Sequence, residues 1–202
     1  RQLVLLLPVR VTRRKNIELA MRAVRCLRDR DVDVCFLVTG PVAPHHPGRS
    51  QTYLDELKRL RDELALHDAV IFAADELGHN VDYATVTELY RVVDALLFPS
   101  AQEGFGLPIL EAGLARIPVI LADIPVFREI GGADVWTFDL GAAPDDIAGR
   151  ILQAVQGRPS ALYRRVLREY RWDAIIDQTV MPLLQTAARA NTTPIPPREV
   201  PS

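Results

Sequence analysis

Short, wholly apolar runs alternate with amphipathic stretches along this chain, and this alternation limits the fold more than any other feature. The run 3–7 contains only Leu and Val, as expected of a strand that is buried on both faces of a sheet. The stretch after it has apolar residues at helical spacing, namely Ile17, Ala20, Met21, Val24 and Leu27. Buried strands that alternate with helices predict a parallel sheet with helices on both faces.

The same patterns predict the other elements of the chain. Strands are predicted at 3–7, 32–39, 69–73, 94–98, 118–122 and 135–138. Helices are predicted around Ile17 and Tyr53 and at 85–93, 108–115, 145–156, 161–170 and 172–188, with 41–49 as a loop. The predicted fold class is therefore α/β, a Rossmann-like doubly wound parallel sheet of about six strands. Such sheets bind ligands at the carboxyl ends of the strands, where the strand order reverses.

Composition narrows the class of protein. The net charge of -2 gives no basis for a nucleic-acid partner or a membrane surface. No apolar run is long enough to cross a bilayer and no signal peptide is present, which favours a cytoplasmic location. Cys26 and Cys35 are interpreted as buried thiols, because neither their number nor their spacing suggests a metal site or a disulfide.

The two ends of the chain suggest its organisation. A strand begins almost directly after Arg1, which suggests a piece cut from a longer protein. Residues 190–202 are polar and rich in proline, and we expect them to form a disordered tail. The remaining residues, 1–189, are expected to form one domain that includes the C-terminal helices.

The strongest chemical signal follows the fourth predicted strand. There Glu103 precedes the turn Gly104-Phe105-Gly106-Leu107, and Glu111 lies eight residues after Glu103. Pro108 suits the first turn of a helix, whose free amides, expected here at Gly106, Leu107 and Ile109, form an anion site. Each glutamate alone could be an ordinary surface or first-turn acid. Together they suit the hydroxyls of a phosphate-linked sugar, because carboxylates are acceptors only.

A basic segment follows the first predicted strand. Arg10, Arg13, Arg14 and Lys15 crowd the start of the next helix, where cations oppose the helix dipole. An anionic ligand would remove that conflict, so Arg10 and Lys15 are interpreted as diphosphate contacts. Arg13 and Arg14 are interpreted as solvated or interfacial, and Asn16 as the N-cap of the helix.

Other ligand classes lack their signatures in this sequence. The dinucleotide fingerprint Gly-x-Gly-x-x-Gly is absent after the first strand, which argues against NAD. No phosphate-binding P-loop is present either. We therefore predict no cofactor and no metal ligands.

These motifs resemble those of glycosyltransferase family 4, within the group 1 glycosyltransferases of the GT-B fold. The family's Arg-x(4)-Lys is matched by Arg10 with Lys15, and its Glu-x(7)-Glu by Glu103 with Glu111. The stretch 103–119 is the most specific part, and the resemblance extends to about residue 184. Other stretches that fit are 37–40, 88–100 and 122–132. The chain would then be the C-terminal, nucleotide-sugar-binding half of the enzyme, with an N-terminal acceptor domain absent from this sequence.

The resemblance also implies roles for these residues. Arg10 and Lys15 would hold the donor diphosphate and stabilise the leaving group, and Glu103 would contact the sugar hydroxyls. Glu111 would bind the ribose hydroxyls. The catalytic set would be Arg10, Lys15 and Glu103, with Gly104, Phe105, Gly106 and Leu107 shaping the donor pocket. The implied reaction retains the anomeric configuration and needs no metal at the diphosphate.

Two positions depart from the family pattern, and several questions stay open. Asn16 and Arg116 stand where many members have glycine, and Arg116 is expected to strain a left-handed position. The alternatives are a non-catalytic nucleotide-sugar-binding module, a GT-B sugar-nucleotide epimerase or a purely structural domain. The sugar, the base (UDP, GDP or ADP) and the acceptor are not predicted. Partners would be the nucleotide sugar and the protein's own N-terminal domain, with membrane contact only through missing parts.

Overall fold

The computed structural model describes residues 1–42, 47–157 and 161–191. The chain divides into two compact units, Arg1–Tyr163 and Arg164 onwards. The first unit contains the sheet and both motifs found in the sequence.

The first unit is built on a parallel sheet of six strands, as predicted. The strands are β1 (Leu3–Leu7), β2 (Val34–Val38), β3 (Val70–Phe72), β4 (Ala95–Phe98), β5 (Val119–Ala122) and β6 (Trp136–Phe138). Their order is β3-β2-β1-β4-β5-β6, and every neighbouring pair is parallel. The chain therefore runs outwards in opposite directions from the β1–β4 pair. A crevice for ligands is expected at the carboxyl ends of these two strands.

Helices connect the strands of the first unit and continue into the second. They are α1 (Ile17–Asp29), α2 (Pro47–Glu63), α3 (Ala73–Leu77), α4 (Tyr83–Val92), α5 (Leu107–Ala115), α6 (Pro125–Gly131), α7 (Pro144–Gln156), α8 (Leu162–Glu169), α9 (Trp172–Ile175) and α10 (Met181–Asn191). The sequence analysis missed α3 and α6, because helices this short show too few turns for a periodic pattern. It was also wrong about the end of the loop 41–49, because α2 already begins at Pro47. Residues 43–46 of that loop lie outside the described residues.

Burial explains why these segments form strands and helices. Every residue of β4 and β5 is buried, which requires cover on both faces of the sheet. In α1 the residues that the sequence placed on one stripe are all nearly inaccessible to solvent, namely Ile17, Ala20, Met21, Val24 and Leu27. The centre of the core is therefore the β1–β4–β5 region, directly beneath the expected ligand edge.

The sequence analysis predicted a single helix over 172–188, which lies in the second unit. Instead α9 is followed by a π-helical segment, Ile176–Val180, before α10 continues to Asn191. A single extra residue per turn produces such a segment, and the spacing of apolar residues does not reveal it. The predicted disordered tail overlaps α10 at residues 190–191, and residues 192–202 lie outside the described part of the chain. No helix in the described residues is both long and apolar enough to span a bilayer.

Four non-glycine residues in the described part of the chain adopt positive φ angles, and Arg116 is one of them with φ of 61°. This confirms the expected left-handed position at the end of α5. The Arg116 guanidinium lies over the Tyr163 ring, 4.0 Å from its centroid, and such a contact offsets part of the backbone strain.

Ala65 offers a test of backbone strain in this fold. It follows α2 with φ of 51°, is exposed, and has no side chain that could compensate. We expect Ala65→Gly to raise the free energy of unfolding by about 1 kcal/mol, because glycine adopts this conformation without steric cost. Chemical denaturation measures the change. The matched control is Ala84→Gly in the exposed part of α4, which is expected to destabilise by about 0.5–1 kcal/mol. Equal losses in both variants would contradict the strain at Ala65.

Candidate functional site

The two motif-bearing segments meet at the point where the strand order reverses. Residues 8–16 follow β1 and residues 99–106 follow β4, and these two strands are paired in the sheet. The Ala101 amide donates a hydrogen bond of 2.8 Å to the Arg14 carbonyl. The basic segment and the glutamate-containing turn therefore form one continuous surface at the carboxyl edge of the sheet.

A buried ion pair lies at the centre of this surface. The Lys15 ammonium group donates a hydrogen bond to the Glu103 carboxylate, although the two residues are far apart in the sequence. Each side chain is only 9% exposed. The Lys15 nitrogen also lies 5.4 Å from the centroid of the Phe98 ring. The sequence had proposed both residues for the site, and the structure brings them into direct contact.

Burial changes the acid–base behaviour of Lys15. Desolvation of the ammonium group lowers the pKa of Lys15, and the neighbouring Glu103 carboxylate opposes that effect without cancelling it. An ammonium group has three N–H donors and Glu103 accepts one of them, so Lys15 can donate to an anionic ligand as well. The pair therefore marks a place where an anionic ligand could bind.

The backbone before α1 explains how Lys15 is directed inwards. Arg13–Lys15 forms a 3-10 turn, and Asn16 follows it in the left-handed conformation with φ of 51°. Asn16 occupies the N-cap position of α1, as predicted, but its side chain makes no capping hydrogen bond. Asn16 instead provides the left-handed geometry that glycine provides elsewhere, since asparagine tolerates this region better than most residues.

The other cations of the basic segment differ in their surroundings. Arg13 pairs with Glu56 at 2.7 Å and stacks over the Tyr53 ring, so its charge is already balanced. Arg10 and Arg14 are exposed, and no side-chain partner for either is found in the described parts of the chain. The diphosphate contact of Arg10 therefore stays a prediction, and no hydrogen bond or ion pair joins Arg10 to Lys15 or Glu103.

The start of α5 forms the other wall of the site. Gly106 precedes the helix with φ of 96°, a conformation that favours glycine. The Ile109 amide donates to the Gly106 carbonyl at 2.9 Å, so the prediction of a free amide at Ile109 was wrong. The short turn at Gly106 folds the chain back and captures that amide. Phe105 and Leu107 are about half exposed beside it, and Gly104 has open space around its Cα.

Glu111 lies one turn inside α5 and has a partner that the sequence analysis missed. The buried Tyr90 hydroxyl donates a 2.8 Å hydrogen bond to Glu111 Oε2. Burial, with the Glu111 carboxylate beside it, raises the pKa of the Tyr90 phenol, so it stays protonated. A cavity of about 240 Å³ lies alongside, lined by residues of α4 and α5 that include both side chains.

A second cavity lies at the ends of β2 and β3. It has a volume of about 280 Å³ and is lined by Gly40, Val42, Phe72 and Gly78, among others. The sequence analysis had placed base selection in these loops. A larger cavity of about 470 Å³ lies away from both motifs, between Arg30 and the start of α7.

Neither cysteine lies in the two motif-bearing segments. Cys26 and Cys35 are free and only partly buried, so the expectation of fully buried thiols was wrong. Desolvation raises the pKa of both thiols. In the described residues no cluster of three or more potential metal-ligating side chains is found.

Comparison with known proteins decides the family. The model of the family "Glycosyl transferases group 1" matches residues 1–170. The chain belongs to the group 1 glycosyltransferase family. The serotype-specific mannosyltransferase WbdA of Escherichia coli is 49% identical to this chain over 69 residues, which are 34% of this chain and 8% of WbdA. The chain thus spans only a small part of that relative.

Solved structures support the fold of this glycosyltransferase domain. The C-terminal domain of the group 1 glycosyltransferase LpcC from Francisella tularensis matches with a TM-score of 0.67 and 21% identity, over 84% of this chain and 86% of that one. HepE from Anabaena, solved in complex with UDP and glucose, matches with a TM-score of 0.72 and 20% identity. That match covers 92% of this chain and 48% of HepE. Both matches support the predicted fold, a Rossmann-like α/β sheet that forms the C-terminal half of a GT-B fold.

Proposed function

We propose that this chain is the donor-binding half of a retaining glycosyltransferase of family 4, which moves a sugar from a nucleoside-diphosphate sugar to an acceptor. The observation that carries this proposal is the buried Lys15–Glu103 pair at the reversal in strand order. Burying two charges costs free energy that their mutual attraction often does not repay, so a buried pair at the ligand edge of the sheet favours a role in binding. Binding of UDP and glucose by the structural neighbour HepE supports the same class of ligand.

The proposed donor lies across the carboxyl edge of the sheet. Its diphosphate contacts Lys15, Arg10 and the amides at the start of α5, where the helix dipole favours negative charge. Glu103 accepts hydrogen bonds from the sugar, and Glu111 accepts them from the ribose. The cavity lined by Gly40 and Gly78 is the proposed base site, since it lies in the loops beyond β2 and β3.

The proposed chemistry is the stabilisation of a departing diphosphate. When the bond between the anomeric carbon and the phosphate oxygen breaks, negative charge develops on that oxygen. Lys15 and Arg10 are placed to stabilise this charge, which is a task that a metal ion performs in other transferases. We therefore propose a reaction that needs no metal and no cofactor. The acceptor would attack from the side of the leaving phosphate, and the configuration would be retained.

The stereochemistry can be tested on the whole protein. With an α-linked donor, we expect the one-bond carbon–proton coupling constant at the anomeric centre of the new product to have the larger value of an α-linkage in NMR spectra. A β-linked product would contradict retention. The acceptor domain is proposed to be a separate N-terminal part, so this chain alone is expected to bind the donor and to transfer sugar poorly. Robust turnover by this chain alone would contradict that division of labour.

The lowered pKa of Lys15 predicts that nucleotide affinity depends on pH in the alkaline range. Because burial lowers the pKa of Lys15, its positive charge is lost at a pH below the ordinary lysine value of 10.5. Affinity for a nucleoside diphosphate is full while Lys15 is protonated and should fall as the pH rises through this lowered pKa. Titration calorimetry across the alkaline range measures the fall.

The matched control for this prediction is Lys15→Arg. Arginine keeps its charge over the whole range, so its affinity should be nearly independent of pH. Titration of the base itself affects both proteins equally. The same alkaline fall in the wild type and in Lys15→Arg would show that Lys15 is not responsible.

A further inference from the structure

One face of α4 is directed at the glutamate proposed to hold the ribose. Tyr83, Thr87 and Tyr90 follow one another at helical spacing, and all three line the cavity that Glu111 and Leu114 border from α5. Tyr83 is exposed at the outer end of this row, while Tyr90 is 4% exposed at its inner end. The cavity is thus a short groove between two helices, with Glu111 in its wall.

The contact between Tyr90 and Glu111 is specific. The Tyr90 hydroxyl donates to Glu111 Oε2 at 2.8 Å and lies 3.4 Å from the Pro108 carbonyl oxygen. A carboxylate has two oxygens that each accept more than one hydrogen bond. Glu111 Oε1 has no partner in the described part of the protein. One oxygen is therefore fixed by the protein, and the other is left for a ligand.

We propose that Tyr90 is a positioning residue for ribose recognition, which holds the Glu111 carboxylate in the orientation that accepts hydrogen bonds from the ribose diol. This inference rests on the proposed function and adds to it a residue that the sequence motifs do not contain. A hydrogen bond to a charged acceptor is stronger than one between neutral groups, so it restricts the carboxylate effectively. Preorganisation of this kind increases affinity by lowering the entropy lost on binding.

The alternative is that Tyr90 only fills the space between α4 and α5. That role would depend on its ring, which Tyr90→Phe preserves while removing only the hydroxyl. A packing role would leave the preference for ribose over deoxyribose unchanged. A positioning role would reduce it, because the freed Glu111 carboxylate no longer holds one orientation.

The experiment is calorimetric titration of the whole chain with UDP, GDP and ADP, followed by the 2′-deoxy and 3′-deoxy forms of the tightest binder. The wild type is expected to bind the ribonucleotide at least tenfold more tightly than one of its deoxy forms. In Tyr90→Phe we expect ribonucleotide affinity to fall about tenfold, while deoxynucleotide affinity changes less than about twofold. In Glu111→Ala the preference should vanish, and adding Tyr90→Phe to it should have little further effect.

The chain contains a matched control. Tyr53 is also a buried tyrosine whose hydroxyl donates to a glutamate, Glu18, and it lies on α2 rather than beside α5. Tyr53→Phe removes an equivalent hydrogen bond and should leave the ratio of ribose to deoxyribose affinity unchanged.

Three results would count against the proposal, and they are distinguishable. If Tyr90→Phe keeps the full preference for ribose, the positioning role is wrong although the proposed function stands. If Tyr53→Phe loses the preference as well, the effect is general to buried tyrosines and the positioning role is again wrong. If the folded wild type binds none of the three nucleotides, the proposed function and this inference both fail.

Discussion

Lys15→Ala is expected to lower the affinity of this chain for its nucleoside diphosphate by about 100-fold or more, which corresponds to about 2.7 kcal/mol. The ammonium group is the buried cation at the carboxyl edge of the sheet, and its removal also leaves the Glu103 carboxylate buried without a partner. An unpaired charge at this place repels a phosphate in addition to the attraction that is lost. Titration calorimetry measures the affinity.

Loss of binding must be separated from loss of folding in that variant. Breaking a buried ion pair from one side costs about 3–5 kcal/mol of stability, whereas replacing both partners with apolar residues is often neutral. The double variant Lys15→Met with Glu103→Leu is therefore expected to have a free energy of unfolding close to that of the wild type. It should still bind nucleotide poorly. Arg14→Ala is the control for charge alone, since Arg14 is an exposed cation in the same turn, and it should change affinity less than threefold. Lys15→Ala with wild-type affinity would contradict a diphosphate contact at Lys15.

Gly40→Ala is expected to destabilise the protein by about 3 kcal/mol or more. A Cβ atom at Gly40 would lie 2.1 Å from the Val9 carbonyl oxygen and 2.6 Å from the Arg10 nitrogen. These are backbone atoms, which cannot rotate aside as a side chain can, so the segment after β1 would have to move. That segment carries Arg10, so nucleotide affinity should fall together with stability.

Gly104→Ala is the control for this steric effect on stability. An added Cβ at Gly104 meets no atom within 4 Å, and its φ is not positive. Its free energy of unfolding should stay within about 0.5 kcal/mol of the wild type in chemical denaturation. A Gly40→Ala variant as stable as Gly104→Ala would contradict the close approach of the two loops.

Much of the fold could be predicted because its strands are apolar throughout. β4 and β5 are buried on both faces, so their composition alone distinguishes them from loops. Their last residues were predicted correctly, but both strands were predicted to begin one residue too early, at Asp94 and Pro118 instead of Ala95 and Val119. The five-residue α3 was missed since its acids, Asp75 and Glu76, resemble those of an ordinary turn.

The site could be predicted in its parts but not in its contacts. Lys15, Glu103 and Glu111 were identified as candidates because cations oppose the dipole at a helix start and because the two glutamates flank a glycine-containing turn after a strand. The sequence could not show that Lys15 and Glu103 form a buried pair, because their contact requires β1 and β4 to be neighbours in the sheet. Tyr90 was missed because a tyrosine on the buried face of a helix is indistinguishable from core packing in the sequence. Only its distance from Glu111 reveals a polar role.

The most direct test of the proposed donor site is calorimetric titration of this chain with UDP, GDP, ADP and their common sugar conjugates, in the presence of a metal chelator. We predict saturable binding of one nucleoside diphosphate at one site per chain, with an affinity that the chelator does not change. A correctly folded chain that shows no saturable binding to any of these ligands would contradict a donor site at the Lys15–Glu103 edge.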